Sequence, residues 1–203
     1  MSALVLASGV ALALSKIGTN GPGTLRGPTA TTNDLLGRGG NDNLSSLDGT
    51  DNLAGGTGKD VLWGGTKRST GVGDKNLAGG SGNDVVLGGR SSDSILGGTG
   101  NDFVDGSPNS DNVAGEEGTD VVFEGGLHEA YKVNLSGGPG NDWVAPLNDP
   151  AYGDMVTCGS GLDRVLADRK DVIAPDCEKV SFGLASEEAF FETIPQSFDK
   201  GLS

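Results

Sequence analysis

The sequence predicts an all-β chain, a parallel solenoid of nine-residue units with two units to a coil. Three observations lead there. Glycine accounts for 37 of 203 residues, well above the roughly 7% of average proteins. Aspartate supplies 20 of the 28 acidic residues. And the aspartates recur at intervals of nine, each with an aliphatic residue two places later. The runs are Asp42, Asp51 and Asp60, then Asp84, Asp93, Asp102, Asp111 and Asp120, then Asp154 and Asp163. Their aliphatic partners are Leu44, Leu53, Leu62, Val86, Ile95, Val104, Val113, Val122, Val156 and Val165.

Three insertions interrupt the count, between Leu62 and Leu77, Val122 and Leu135, and Val144 and Val156. The spacings of 15, 13 and 12 are nine plus six, four and three, so the register resumes after each, with Lys75 and Val133 in the aspartate position. The repeat covers residues 19–180. Each unit has a physical reading. Glycines at consecutive turn positions accept a positive φ that a Cβ resists. The next three residues are extended, and the period of two turns the middle side chain inward. Two units close one coil, so residues 18 apart stack at about 4.8 Å.

The clearest copies are GGTGKDVLW (55–63), GGSGNDVVL (79–87), GGTGNDFVD (97–105) and GGPGNDWVA (137–145). They resemble the repeat-in-toxin (RTX) nonapeptide G-G-x-G-x-D-x-U-x. The resemblance implies a right-handed parallel β-roll that binds Ca²⁺. The opening GTNGPGTLRG (18–27) and the ending CGSGLDRVLADRKDVIAPDCEKV (158–180) are similar to a secreted bacterial branch of that family. The expected organisation is a hydrophobic segment at 1–17, the calcium-binding roll at 18–180 and a tail or cap at 181–203. The sequence shows none of the protease, lipase or cytolysin domains that often accompany such repeats.

Successive loops alternate between two edges. First-edge loops read GRGGND, GGTGKD, GGSGND, GGTGND, GEEGTD, GGPGND and CGSGLD, ending at Asp42, Asp60, Asp84, Asp102, Asp120, Asp142 and Asp163. The second edge reads SLDGTD, GGRSSD and GSPNSD and takes all three insertions. Calcium is therefore expected mainly along the first edge. In the family, an ion lies between stacked loops and takes main-chain carbonyls and the aspartates of both, about six oxygens, as Ca²⁺ prefers. Carried over, the expected ligands in the first three loops are Gly37, Gly39 and Asp42; Gly55, Gly56, Thr57, Gly58 and Asp60; Gly79, Gly80, Ser81, Gly82 and Asp84. The later loops supply Gly97, Gly98, Thr99, Gly100 and Asp102; Gly115, Glu117, Gly118 and Asp120; Gly137, Gly138, Pro139, Gly140 and Asp142; and Gly159, Gly161 and Asp163. Seven loops allow up to six ions, with the best sites at Asp60/Asp84 and Asp84/Asp102. Glu116 replaces a glycine in the fifth loop, which predicts a strained site or one that uses its carboxylate. Six divalent ions would nearly offset the formal net charge of −14. An empty row of carboxylates repels itself, so folding is expected to be coupled to metal.

The outward residues of the two sheets differ. After first-edge loops they include Trp63, Phe103, Phe123 and Trp143, an apolar stripe that predicts a contact surface. The chain's own ends, including Phe190 and Phe191, could cover it, or a second molecule could. After second-edge loops the outward residues are Asn52, Asn76, Asn112 and Asn134, a ladder able to bond along the stack. Cys158 and Cys177 lie 19 apart, close to one coil. They fit a disulfide that staples the C-terminal end in an oxidising compartment, or two buried thiols. Residues 3–14, ALVLASGVALAL, read as an export signal or its remnant, or as a hydrophobic strand that packs.

Several functions are excluded or disfavoured. A sequence pI of about 4.2 does not suit a nucleic-acid surface. One histidine cannot build a multi-histidine zinc site, and nucleophile-elbow, phosphate-loop and EF-hand patterns are absent. The expectation is a secreted, extracellular, calcium-binding protein with a structural or adhesive role and no catalysis. The alternatives are a self-assembling filament or matrix subunit and an accessory module of a polysaccharide-active enzyme.

Overall fold

The computed structural model describes residues 14–28, 32–46, 49–65, 75–125, 131–147 and 152–182. There is no helix among them. In chain order the strands are β1 Leu14–Ile17, β2 Thr24–Arg26, β3 Asn33–Gly39, β4 Asn43–Ser45, β5 Asn52–Thr57 and β6 Val61–Trp63. They continue with β7 Lys75–Ser81, β8 Val85–Leu87, β9 Asp93–Thr99, β10 Phe103–Asp105, β11 Asn112–Glu117 and β12 Val121–Gly125. The last six are β13 Asn134–Pro139, β14 Trp143–Leu147, β15 Met155–Ser160, β16 Arg164–Ala167, β17 Val172–Ile173 and β18 Lys179–Phe182. The odd-numbered strands form one nine-stranded sheet and the even-numbered strands another, each in chain order. All pairings are parallel. This is the predicted parallel β-solenoid, one strand per nine-residue unit.

The core is two columns of aliphatic side chains, one per sheet. In the odd sheet Leu35, Leu53, Leu77, Ile95, Val113, Leu135, Val156 and Ile173 stand in register. In the even sheet Leu44, Leu62, Val86, Val104, Val122, Val144, Val165 and Val180 do the same. They meet in a single hydrophobic cluster. The alternation of side chains leaves no choice: a slip of one residue would turn each column out to water. The three insertions do not disturb the register, since Leu53 pairs Leu77, Val113 pairs Leu135 and Leu135 pairs Val156.

The ends of the solenoid are closed by different means. Leu14–Ile17, within the hydrophobic segment, joins the odd sheet as its first strand. Lys16 there takes the inward position next to Leu35, and its ammonium donates to the Arg26 carbonyl at 2.5 Å. At the other end Cys158 and Cys177 form a disulfide with Cα atoms 5.1 Å apart. The signal-like residues 1–13 and the tail beyond Phe182 lie outside the described residues.

The two outer faces differ as the sequence predicts. On the odd sheet Asn52 Nδ2 donates to Asp34, Asn76 to Asn52 and Asn134 to Asn112, each at 2.7 Å. Ser94 interrupts this ladder between Asn76 and Asn112. On the even sheet Phe103, Phe123 and Trp143 form a second apolar cluster with Val85, Val121, Ala145 and Leu147. Phe103 and Phe123 pack edge to face at 5.0 Å, and the Arg164 guanidinium lies 4.5 Å from the Trp143 ring centroid. This outward face is buried within the single chain, while Trp63 at its margin keeps 37% of its surface.

Candidate metal centre

The first edge is built from loops whose glycines carry the turn. At the second and fourth positions φ is positive: +110° and +133° at Gly56 and Gly58, +114° and +136° at Gly80 and Gly82, and +117° and +128° at Gly98 and Gly100. Where the sequence departs from glycine the backbone does not. Arg38 and Glu116 hold φ of +84° and +73° at the second position of their loops. Glu116 thus holds a backbone conformation that side chains resist, and its exposed carboxylate is close enough to raise Asp102 and Asp120.

All seven first-edge aspartates are buried, none more than 3% exposed. Their Oδ1 atoms knit one coil to the next by accepting the main-chain N–H of the preceding aspartate. Asp60 Oδ1 accepts from Asp42, Asp84 from Asp60, Asp102 from Asp84, Asp120 from Asp102, Asp142 from Asp120 and Asp163 from Asp142, at 2.7–2.9 Å. Glu178 closes the series by accepting from Asp163 at 3.0 Å. The other carboxylate oxygen, Oδ2, is buried in each of the seven without a hydrogen-bond partner. A column of dry, unsatisfied anionic oxygens is costly unless something positive faces it.

The surrounding atoms show what that would be. A methyl group placed on Gly79 would lie 2.5 Å from both Asp84 Oδ2 and the Gly97 carbonyl oxygen. On Gly97 it would lie 2.6 Å from both Asp102 Oδ2 and the Gly115 oxygen, and on Gly137 2.6 Å from Asp142 Oδ2 and 2.8 Å from the Cys158 oxygen. So beside each first-position glycine the loop's own carboxylate and a carbonyl of the next coil come close together, two oxygens of the hard kind that Ca²⁺ takes. Carbonyls at the second and fourth positions point along the stack: those of Gly56 and Gly80 meet Gly80 and Gly98, and those of Gly58 and Gly82 meet Gly82 and Gly100. Among the described residues no three His, Cys, Asp or Glu side chains come together as a metal site. A cation here must take most of its shell from the main chain. The residues present fit a calcium ion of that kind between each pair of stacked first-edge loops.

Most of the expected ligands are brought together, and a few have another task. The third-position carbonyls of Ser81, Thr99, Glu117 and Pro139 accept a main-chain hydrogen bond from Gly58, Gly82, Gly100 and Gly118 at 2.7–3.0 Å. The carbonyl of Cys158, first residue of the seventh loop, lies beside Gly137 with Asp142 Oδ2, where the earlier coils place a glycine carbonyl. The fifth-position asparagines also have a role the repeat pattern hinted at only by its recurrent Asn-Asp. Asn41, Asn83, Asn101 and Asn141 accept the N–H of Lys59, Asn101, Thr119 and Leu162 in the next coil at 2.8–3.0 Å.

The electrostatics follow from burial. Desolvation first, and then the charges of stacked neighbours, push Asp84 and Asp142 up to about 7, Asp102 to about 6 and Asp120 to about 8. Asp60 and Asp163 are raised for the same first reason. The accepted main-chain hydrogen bonds oppose the shift without cancelling it.

The second edge keeps part of this geometry. Asp111 Oδ1 accepts from Asp93 N–H at 2.6 Å, and Asp154 Oδ1 from Val133 at 2.9 Å. A methyl on Gly88 would lie 2.5 Å from the Gly106 oxygen and 2.7 Å from Asp93 Oδ2. Its loops have lost glycine, yet Ser107 and Asn109 hold φ of +65° and +148° at the second and fourth positions of theirs.

Two parallel sheets joined by glycine turns, with oxygen-lined edges, define a calcium-binding parallel β-roll. Residues 36–66, 70–104, 78–113 and 87–122 match the RTX calcium-binding nonapeptide repeat, four copies of which the last three overlap. The chain therefore carries RTX repeats over 36–66 and 70–122. No curated protein and no solved structure matches it.

Proposed function

We propose that this chain is a secreted, extracellular β-roll with a structural or adhesive role and no catalysis, whose first edge takes several calcium ions and whose folding depends on them. The observation that carries the reading is the column of buried Oδ2 atoms from Asp42 to Asp163, each facing a carbonyl of the neighbouring coil or lying in the same place in the repeat. Secretion is supported by the RTX repeats, which usually occur in secreted proteins, and by the disulfide, which suits an oxidising compartment. A filament assembled through the aromatic face draws no support from the fold, because Phe103, Phe123 and Trp143 are buried within one chain. Size-exclusion chromatography with light scattering, with and without Ca²⁺, tests the proposal. It expects an expanded monomer in chelator and a compact monomer in calcium. An elution volume and mass that ignore calcium would refute it.

A further inference from the structure

We infer that the second edge holds a divalent-cation site of its own, built on the side-chain carboxylates of Glu124 and Asp111 in place of the repeat's carbonyl pattern. Glu124 follows Phe123 at the loop position that Gly64, Gly88 and Gly106 occupy in the preceding coils, as the stacked bonds Gly64–Leu87, Gly88–Asp105 and Gly106–Phe123 fix. It lies just beyond the segment that matches the RTX repeat. A glutamate here replaces the glycine of the preceding coils at an inward-facing position. It is 2% exposed, and its Oε2 is buried without a hydrogen-bond partner.

That oxygen points into a defined space. A methyl on Gly106 would collide with Glu124 Oε2 and come within 3.0 Å of Asp111 Oδ2, which is likewise buried and without a hydrogen-bond partner. One coil earlier, the equivalent space beside Gly88 is lined by Asp93 Oδ2 and the Gly106 carbonyl. The Glu124 carboxylate thus stands where a repeat carbonyl would, and it brings a charge that a carbonyl lacks. Both acids are held in place. Asp111 Oδ1 accepts from Asp93 N–H at 2.6 Å, and the Glu124 carboxylate accepts from the main chain at Asn109. Two carboxylates that face one dry space repel each other, and a hard, oxygen-seeking cation between them relieves both repulsion and desolvation. Side-chain carboxylates in that number favour a divalent ion over a monovalent one, because its charge matches theirs.

The site goes beyond the first-edge reading and is tested apart from it. Native mass spectrometry of the full chain saturated with Ca²⁺ counts bound ions in wild type, Glu124→Gln, Asp111→Asn, the double variant and Asp84→Asn. The expectation is a loss of one ion in each second-edge variant, the same single loss in the double variant, and a separate loss in Asp84→Asn. A wild-type count in Glu124→Gln overturns the inference, since it is what a neutral Glu124 hydrogen-bonded to Asp111 would give. Loss of ions in the second-edge variants without any in Asp84→Asn would keep this inference and sink the first-edge reading. If Glu124→Gln fails to fold, Tb³⁺-soaked crystals of the wild-type protein decide. An anomalous peak between Glu124 and Asp111 supports the site, and its absence overturns it.

Discussion

Withdrawing calcium at alkaline pH should unfold this chain, and the structure sets the scale. Asp84 and Asp142 are pushed up to about 7, Asp102 to about 6 and Asp120 to about 8, against an ordinary 3.8. One pKa unit is about 1.4 kcal/mol, so ionising even one of these groups inside the metal-free fold opposes folding by roughly 3–6 kcal/mol. Domains are stable by only about 5–15 kcal/mol in all. The sign follows from the direction of the shift. A raised pKa means that the metal-free folded chain keeps protons the unfolded chain has released. Its stabilising effect is whole below about pH 4 and is lost as the pH rises through about 6 to 8. Far-UV circular dichroism of the metal-free protein should therefore show a disordered chain at about pH 8.5, a β-rich one after Ca²⁺ is added, and a partial gain of β signal without metal as the pH falls toward about 4. A native β signal at about pH 8.5 without metal, with a melting temperature that calcium does not move, would refute the reasoning.

Three further outcomes follow from particular contacts. Gly97→Ala places a methyl 2.6 Å from Asp102 Oδ2 and the Gly115 oxygen, so both expected calcium ligands must shift. Calorimetric titration should then show at least one calcium site fewer, and an unchanged stoichiometry would contradict the site. Trp143→Ser removes a buried ring from the even-sheet outer cluster, and in calcium it should lower stability by about 3–5 kcal/mol with no change in mass. The same change at the half-exposed Trp63 should cost much less, and a shift in mass from either variant would reveal an interface. Cys158→Ser with Cys177→Ser opens a 19-residue loop and should cost about 3 kcal/mol, read as a lower melting temperature in calcium. Equal melting temperatures would mean that the last coils are held by packing alone.

Much of this architecture was legible because a nine-residue period couples three constraints. The spacing of Asp84, Asp93 and Asp102 predicts which aspartates stack and which edge each joins. The aliphatic residue two places on predicts the core, and Leu53 and Leu77 pair across an insertion of six as the count requires. The asparagine ladder follows from the same period of two. Such features are local patterns repeated at short range, so a single unit carries nearly all the information about its neighbours.

What the sequence could not supply are the choices made between coils. The pairing of Cys158 with Cys177 was one of two readings until the chain brought their Cα atoms to 5.1 Å. Whether the aromatic face is covered depended on tertiary packing, since an outward Phe103 or Trp143 looks alike in an open and a closed face. Glu124 gave no signal at all, because its acidity has meaning only against Asp111 in the coil below. The period determined which residues stack and which way they point. The three-dimensional closure of the coil decided which oxygens share a dry space, because burial and mutual repulsion arise only when distant loops meet.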